Sequence, residues 1–152
     1  MSGNSCLAIS QWFTTAQRPE HLTAIAPWEG LSDCCREIAT RGGVMMPEFV
    51  KMLSDSFAST ENGGIEDVIT MMNEQPTMNN WWADKEADLE AIDIPAYIVA
   101  SYTNPIHTYA LWRATAAFPQ KRNGCGSIIP VNGMIITIRD TPRNCGNSLT
   151  AI

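Results

Sequence analysis

The sequence has no long hydrophobic run. None of its apolar stretches approaches the roughly 20 residues that a membrane-spanning helix needs, so no membrane association is expected. Basic residues are scarce. Lys and Arg number 10 against 16 Asp and Glu, a net charge of −6. A chain of that charge is a poor ligand for nucleic acid, whose phosphates dominate affinity. There are two histidines, His21 and His107, and no CxxC pair. No metal or organic cofactor is therefore expected. The opening residues MSGNSCLAIS lack a basic segment followed by an apolar one, so no signal peptide is read there. The five cysteines, Cys6, Cys34, Cys35, Cys125 and Cys145, are odd in number and include an adjacent pair. That is no disulfide framework, and reduced thiols in a cytoplasmic setting are the default.

What is present suits a folded chain. Hydrophobic residues make up 45% of the 152 and charged residues 17%, which excludes disordered and fibrous classes. The charge is unevenly spread. Residues 1–109 carry 5 Lys and Arg against 15 Asp and Glu, a net of −10. Residues 110–152 carry 5 Lys and Arg against Asp140 alone, a net of +4. One chain that changes sign so sharply raises the question of whether it is one unit.

Along the chain, Leu7, Ile9, Trp12, Phe13 and Ala16 recur at helical spacing and predict a helix over Cys6–Gln17, broken by Pro19. HLTAIAP, residues 21–27, reads as a strand closed by a turn at Pro27-Trp28-Glu29-Gly30. Ser32 or Asp33 caps a helix through Ile38, with Gly42-Gly43 as its stop. Further helices are expected at Pro47–Phe57, Ile65–Asn73 and Asn79–Ile92, and another starting at Pro105 and running to about Arg113. IPAYIVAS, residues 94–101, is the best strand of the chain. The later part scatters Gly, Pro, Asn and Arg, and its one strand-like run is Gly133–Arg139. No internal repeat is visible. Strand, helical block, strand is the order of part of an α/β domain with a helical insertion.

Gly3-Asn4-Ser5 immediately before the first helix carries the chemistry. A nucleophile elbow places a serine on a tight strand-to-helix turn, with small neighbours that permit a strained backbone. The helix N-terminus and the N–H following the serine then stabilise an oxyanion. The usual elbow is G-x-S-x-G, and its second glycine is here Leu7. A serine in this place is also an ordinary helix cap. Spacing alone leaves both readings open.

A longer stretch resembles the cocaine esterase / X-Pro dipeptidyl-peptidase family of α/β-hydrolases. The family pattern runs G-x-S-Y/W-x-G/A, then Q-W, then H-L-x-A-I-x-P-W-E-G, then S-D. This chain supplies Gly3, Ser5, Leu7, Ala8, Gln11, Trp12, Pro19, His21, Leu22, Ala24, Ile25, Pro27, Trp28, Glu29, Gly30, Ser32 and Asp33. IPAYIVASYTNPIHT, residues 94–108, resembles the strand and turn that deliver the family's catalytic acid. The resemblance covers residues 1–109. It implies a partial α/β-hydrolase fold, with a helical cap over about residues 31–92 and an incomplete sheet. It implies Ser5 as the nucleophile and the Cys6 backbone N–H as one oxyanion donor, although the family has Tyr or Trp at that place. Trp28, Trp81 and Trp82 become candidate walls of a substrate pocket, although large aromatics more often belong to a core. The substrate class implied is a small-molecule ester or a peptide-like amide.

Two parts of the family's machinery are altered. The acid turn carries Tyr102-Thr103-Asn104 and no carboxylate, so Asn104 or Thr103 stands in the acid position. The family's catalytic histidine follows a segment W-L-R-V-H-N-T-x-E-W-x-D-Y-Y, and no histidine follows His107. His107 lies three residues on from Asn104, where relatives keep a structural histidine at a helix start, which makes it a weak candidate for the base; His21, on the strand before the cap, reads as structural. A serine without a base is a poor nucleophile.

The missing segment reappears when the tail is read in another frame. Each codon of residues 123–137 is regrouped, its third base joining the first two of the next. Asn123-Gly124 then permits Trp, and Leu, Arg and Val follow. Ser127-Ile128 permits His, and Met134-Ile135 forces Asp. The family segment emerges in order without a gap. Residues 110–152 are therefore expected to be an out-of-frame tail, poorly ordered. The family's earlier strands and its C-terminal jelly-roll domain are also expected to be missing. Three functions follow: a truncated, inactive serine hydrolase; a small esterase using His107 as base; or a non-catalytic α/β remnant that binds a partner.

Overall fold

The computed structural model describes residues 1–57, 66–101, 107, 113–114, 126–131 and 134–139. The chain divides into two compact units, Met1–Ser32 with Ala87–Ile152, and Asp33–Glu86.

The first unit is built on a mixed sheet. Strand β1 (Ser2–Asn4) leads through a tight turn into helix α1 (Cys6–Ala16) and back to strand β2 (Ala26–Trp28). β1 and β2 pair in parallel, with Ser2, Gly3 and Asn4 opposite Ala26, Pro27 and Trp28. Helix α1 forms where the periodicity places it, with Gln17 as its C-cap. Arg18 then turns left-handed at φ 53°. Ala8, Gln11, Trp12 and Thr15 form the buried stripe of α1, which is the spacing of one helix face. Trp12 Nε1 donates to the Gly30 carbonyl at 3.2 Å. Gln11 is fully buried and works both ends: its Nε2 donates to Leu7 O at 3.0 Å, and its Oε1 accepts from Ala26 N–H at 3.1 Å. Burying an amide is costly unless it is hydrogen-bonded, and here both ends are used.

The predicted strand over residues 21–27 forms later than expected. Residues 22–24 are irregular, and regular pairing covers Ala26–Trp28. Pro27 therefore lies inside a strand. It is tolerated because its neighbours carry the ladder. Ile25 and Glu29 donate to Pro95 O and Val99 O at 3.1 and 2.6 Å, and Tyr97 donates to Ile25 O at 2.9 Å. The position between them lacks an N–H and is bridged over.

Strand β5 (Ala96–Ser101) forms as expected and lies parallel to β2. Ile25, Ile98, Ala96, Leu89, Ile92, Ala87, Ala114 and Trp12 close the core between sheet and helix. Two further strands come from the tail: β6 (Gly126–Val131) and β7 (Met134–Arg139). β7 was anticipated and β6 was not. Both run antiparallel to their neighbours, giving the order β1-β2-β5-β7-β6. β-branched apolar residues such as those of GMIITIR pair readily with an open sheet edge. Pro130 lies in the edge strand β6, where proline is tolerated.

The second unit contains Cys35–Ala39 as one turn of π-helix, where a regular helix over residues 32–38 was expected. Gly42 and Gly43, at φ 61° and 86°, do not simply end that helix. They form the two-residue turn of a hairpin joining β3 (Thr40–Arg41) to β4 (Val44–Met45), as paired positive φ angles favour. Helix α2 (Pro47–Phe57) matches its prediction. Helix α3 spans Val68–Glu74, capped by Asp67, whose carboxylate accepts from Thr70 N–H at 2.9 Å. The expected helix over residues 79–92 is split. Helix α4 (Asn80–Ala83) is capped by the Asn79 side chain, and Asp88 caps a separate 3₁₀ turn at Leu89–Ala91. A second capping residue inside the expected helix starts a new turn. Cys35, Ala39, Val50, Met72 and Trp82 form this unit's core. Asp33 is buried, and its carboxylate accepts from Arg36 N–H at 2.9 Å and Arg36 Nη1 at 2.7 Å.

Candidate active site

Ser5 occupies the turn between β1 and α1 with φ 55° and ψ −118°. An L-residue pays roughly 1–3 kcal/mol to sit in so sparsely populated a region, and such strain persists only when the surroundings impose it. Here the backbone is held from both sides. Ser5 N–H donates to Trp28 O at 2.9 Å, and Ser5 O accepts from the N–H groups of Ala8 and Ile9, each at 2.9 Å. The side chain makes no capping bond to α1. The plain helix-cap reading therefore fails, and the hydroxyl is left for other work. Cys6 is the first residue of α1, so its N–H belongs to the four that have no acceptor within the helix.

The small-residue requirement of the turn falls where the sequence puts its glycines. A Cβ on Gly3 would lie 2.5 Å from Leu7 Cβ. Leu7 replaces the usual second glycine because its side chain points outward and is 66% exposed. The space is conceded by Gly3. Gly30 plays the same part for the next turn of α1: a Cβ there would meet Ala8 Cβ at 2.7 Å and the Ala8 backbone carbon at 2.9 Å.

Because β1, β2 and β5 are parallel, their carboxyl ends lie along one edge of the sheet. Crevices outside such ends are where open α/β sheets place their chemistry. Ser5 follows β1 and Glu29 follows β2. Glu29 was quoted in the motif without a role. It also holds a left-handed backbone, at φ 54°. Its Oε2 accepts from Asn4 Nδ2 at 3.1 Å. Asn4 precedes Ser5, so this contact ties together the two turns that frame the serine.

The other candidates distribute unevenly. Trp28 lies at the carboxyl end of β2, 45% exposed, with its carbonyl bound to Ser5. Trp81 and Trp82 belong to the unit Asp33–Glu86. Trp82 is 1% exposed and donates through Nε1 to Gln75 O at 2.9 Å. Its surface is used in the core, with the half-buried Trp81 ring edge-on at 4.6 Å. His107 is buried at 8% exposure, as a packed histidine is. Asn104 lies outside the described residues. Among the described residues no group of His, Cys, Asp and Glu could hold a metal ion, and no helix is long and apolar enough to cross a membrane.

Thiol chemistry differs between the cysteines of the described part. Cys6 is exposed beside Ser5. Burial pushes the Cys34 thiol up to about 11, with the Asp33 carboxylate adding to the effect.

No family model and no curated protein matches the chain. Two crystal structures of a CocE/NonD family hydrolase from Staphylococcus aureus are similar to it. Each gives a TM-score of 0.70 at 29% sequence identity, covering 79% of this chain and 22% of the other. The chain thus spans less than a quarter of the solved hydrolase it resembles.

Proposed function

We propose that residues 1–109 are the central part of a serine hydrolase of the acyl esterase / X-Pro dipeptidyl-peptidase type, and that this chain is inactive. The observation that carries the reading is the backbone of Ser5, strained at φ 55° in a strand-to-helix turn with no capping bond to account for it. The likeness to a CocE/NonD family hydrolase supports the same class.

In the intact reaction, Ser5 Oγ attacks the carbonyl carbon of an ester or an X-Pro-type amide. Its proton passes to a base, and the tetrahedral oxyanion is met by the Cys6 N–H at the start of α1. Trp28 is exposed beside Ser5 and supplies an apolar surface for the acyl group. The helices within about residues 31–92 correspond to the family's cap. Two steps lack their residues. Asn104 in the acid position carries no charge to steady an imidazolium. No histidine follows His107 in the sequence, so the proton on Ser5 has nowhere to go.

The cause is a lost reading frame near Ala110. Restoring one base there returns the histidine segment in order. The gene's nucleotide sequence tests this. The account expects W-L-R-V-H-N-T-x-E-W-x-D-Y-Y one frame over, and its absence from both other frames overturns the frame reading. A fluorophosphonate probe tests the chemistry separately. Ser5 in the 152-residue chain should remain unlabelled, because an unactivated serine does not react. Labelling that disappears in Ser5→Ala would show an activated nucleophile and contradict the claim of inactivity.

A further inference from the structure

A cleft of the first unit lies away from the carboxyl edge of the sheet. That cleft lies at the other end of α1, has a volume of about 210 Å³, and is lined by Thr15, Arg18, Glu20, Leu22, Asp93 and Ile94 together with Pro19. We propose that it is a binding site for a small zwitterion of the amino-acid type, bearing one carboxylate, one ammonium group and a short apolar side chain.

Four observations carry this. The first is Thr15, which is 2% exposed and whose hydroxyl is buried without a hydrogen-bond partner. A buried hydroxyl left unpaired costs free energy and is normally satisfied by protein, water or ligand. It lies in the wall of the cleft.

The second is Arg18. Its left-handed backbone and the bond from its Nε to Ala91 O at 2.8 Å fix the guanidinium at the rim. With Nε used, the two terminal nitrogens still carry donors in the fork that fits a carboxylate.

The third is the pair of carboxylates, Glu20 and Asp93. Neither is within ion-pair distance of Arg18 among the described residues, although all three line the same space. A fixed cation and two anions that do not neutralise one another suit a guest carrying both signs. The surplus negative charge favours the guest's ammonium.

The fourth is the shape and the apolar wall. Leu22 and Ile94 are half-buried and pack on the core of the unit, leaving one face toward the cleft. A volume of about 210 Å³ is below the roughly 300–1,000 Å³ of sites for drug-sized ligands, which restricts the guest to a molecule the size of a single amino acid. The site is independent of the proposed hydrolase chemistry, since Ser5 lies at the opposite end of α1.

The test uses the full 152-residue chain, isotope-labelled for heteronuclear NMR, with L-leucine as the probe. 4-Methylpentanoate lacks the ammonium and isoamylamine lacks the carboxylate, so each removes one charge and keeps the apolar side chain. The proposal expects L-leucine to shift the amides of Thr15, Arg18 and Asp93 saturably, with both single-charge analogues at least tenfold weaker. Asp93 and Glu20 make no contacts that the fold needs among the described residues, so Asp93→Asn and Glu20→Gln report on the site without disturbing folding. At least one should weaken L-leucine tenfold or more, and Arg18→Gln should do the same. Absence of saturable shifts, equal binding of all three probes, or wild-type affinity in both carboxylate variants overturns the proposal.

Discussion

The turn that holds Ser5 makes a quantitative prediction about Gly3. A methyl group added there comes within 2.5 Å of Leu7 Cβ, about 1 Å inside ordinary contact between carbons. The obstacle is a Cβ, so no rotamer change removes it, and either β1 or the first turn of α1 must shift. The Gly3 backbone itself is not left-handed, so the cost of Gly3→Ala is steric. Overpacking of this kind costs about 1–3 kcal/mol. The cost should vanish when the obstacle is removed. In a Leu7→Gly background the nearest remaining atoms are the Leu7 backbone carbon at 3.4 Å and Gln11 Nε2 at 3.5 Å, both ordinary contacts. Leu7→Gly alone should cost about 1 kcal/mol through helix propensity, since the side chain is largely exposed. Urea unfolding followed by tryptophan fluorescence gives all four corners of the cycle. The expected coupling is about 1–2.5 kcal/mol, with Gly3→Ala nearly neutral in the second background. Equal cost of Gly3→Ala in both backgrounds would refute the claim that Gly3 concedes the space Leu7 takes.

Other predictions concern the thiols, the tryptophans and a helix cap. Iodoacetamide at pH 8 should modify Cys6 rapidly and Cys34 slowly, because burial holds the Cys34 thiol protonated up to about pH 11; peptide mass spectrometry resolves the order, and faster labelling at Cys34 contradicts it. The same shift has a sign for stability. The folded thiol titrates above its ordinary value of 9.0, so its contribution is intact below pH 9 and is lost as pH rises toward 11. Trp82→Ala should cost about 3–5 kcal/mol in unfolding measurements, while Trp28→Ala, removing a half-exposed ring, should cost far less. The bond from Thr70 N–H to the Asp67 side chain holds its carboxyl below the ordinary carboxylate value. The cap on α3 is therefore in force above that value and lost as pH falls through the lowered one. Asp67→Ala should reduce helicity at pH 7 by circular dichroism and leave the signal unchanged at pH 2.

What the sequence made legible was the part written in local rules. Helix α1 followed from apolar spacing and a breaking proline, α2 from Pro47 at its first turn, and β5 from a β-branched run. The misreadings arose where tertiary pairing decides. Pro27 looked like the end of a strand, and it lies within one because Ile25 and Glu29 donate on either side. Gly42-Gly43 looked like a helix stop, and it is a hairpin turn because a second strand waits beyond it. Residues 79–92 looked like one helix, and Asp88 restarts the chain with its own cap. At the site, spacing leaves Ser5 between cap and nucleophile, and the observed φ, ψ and absent capping bond count against the cap. Glu29 was visible as a letter in a motif, but its contact with Asn4 joins residues 25 apart in the chain and leaves no local pattern.

The central claim is that Ser5 is a nucleophile in place whose proton has no acceptor. Hydrolysis of a p-nitrophenyl ester by the 152-residue chain, measured beside Ser5→Ala, tests it most directly. The account predicts identical rates for the two proteins, both at the level of the uncatalysed reaction. Turnover that depends on Ser5 would contradict it and show that this chain supplies a base.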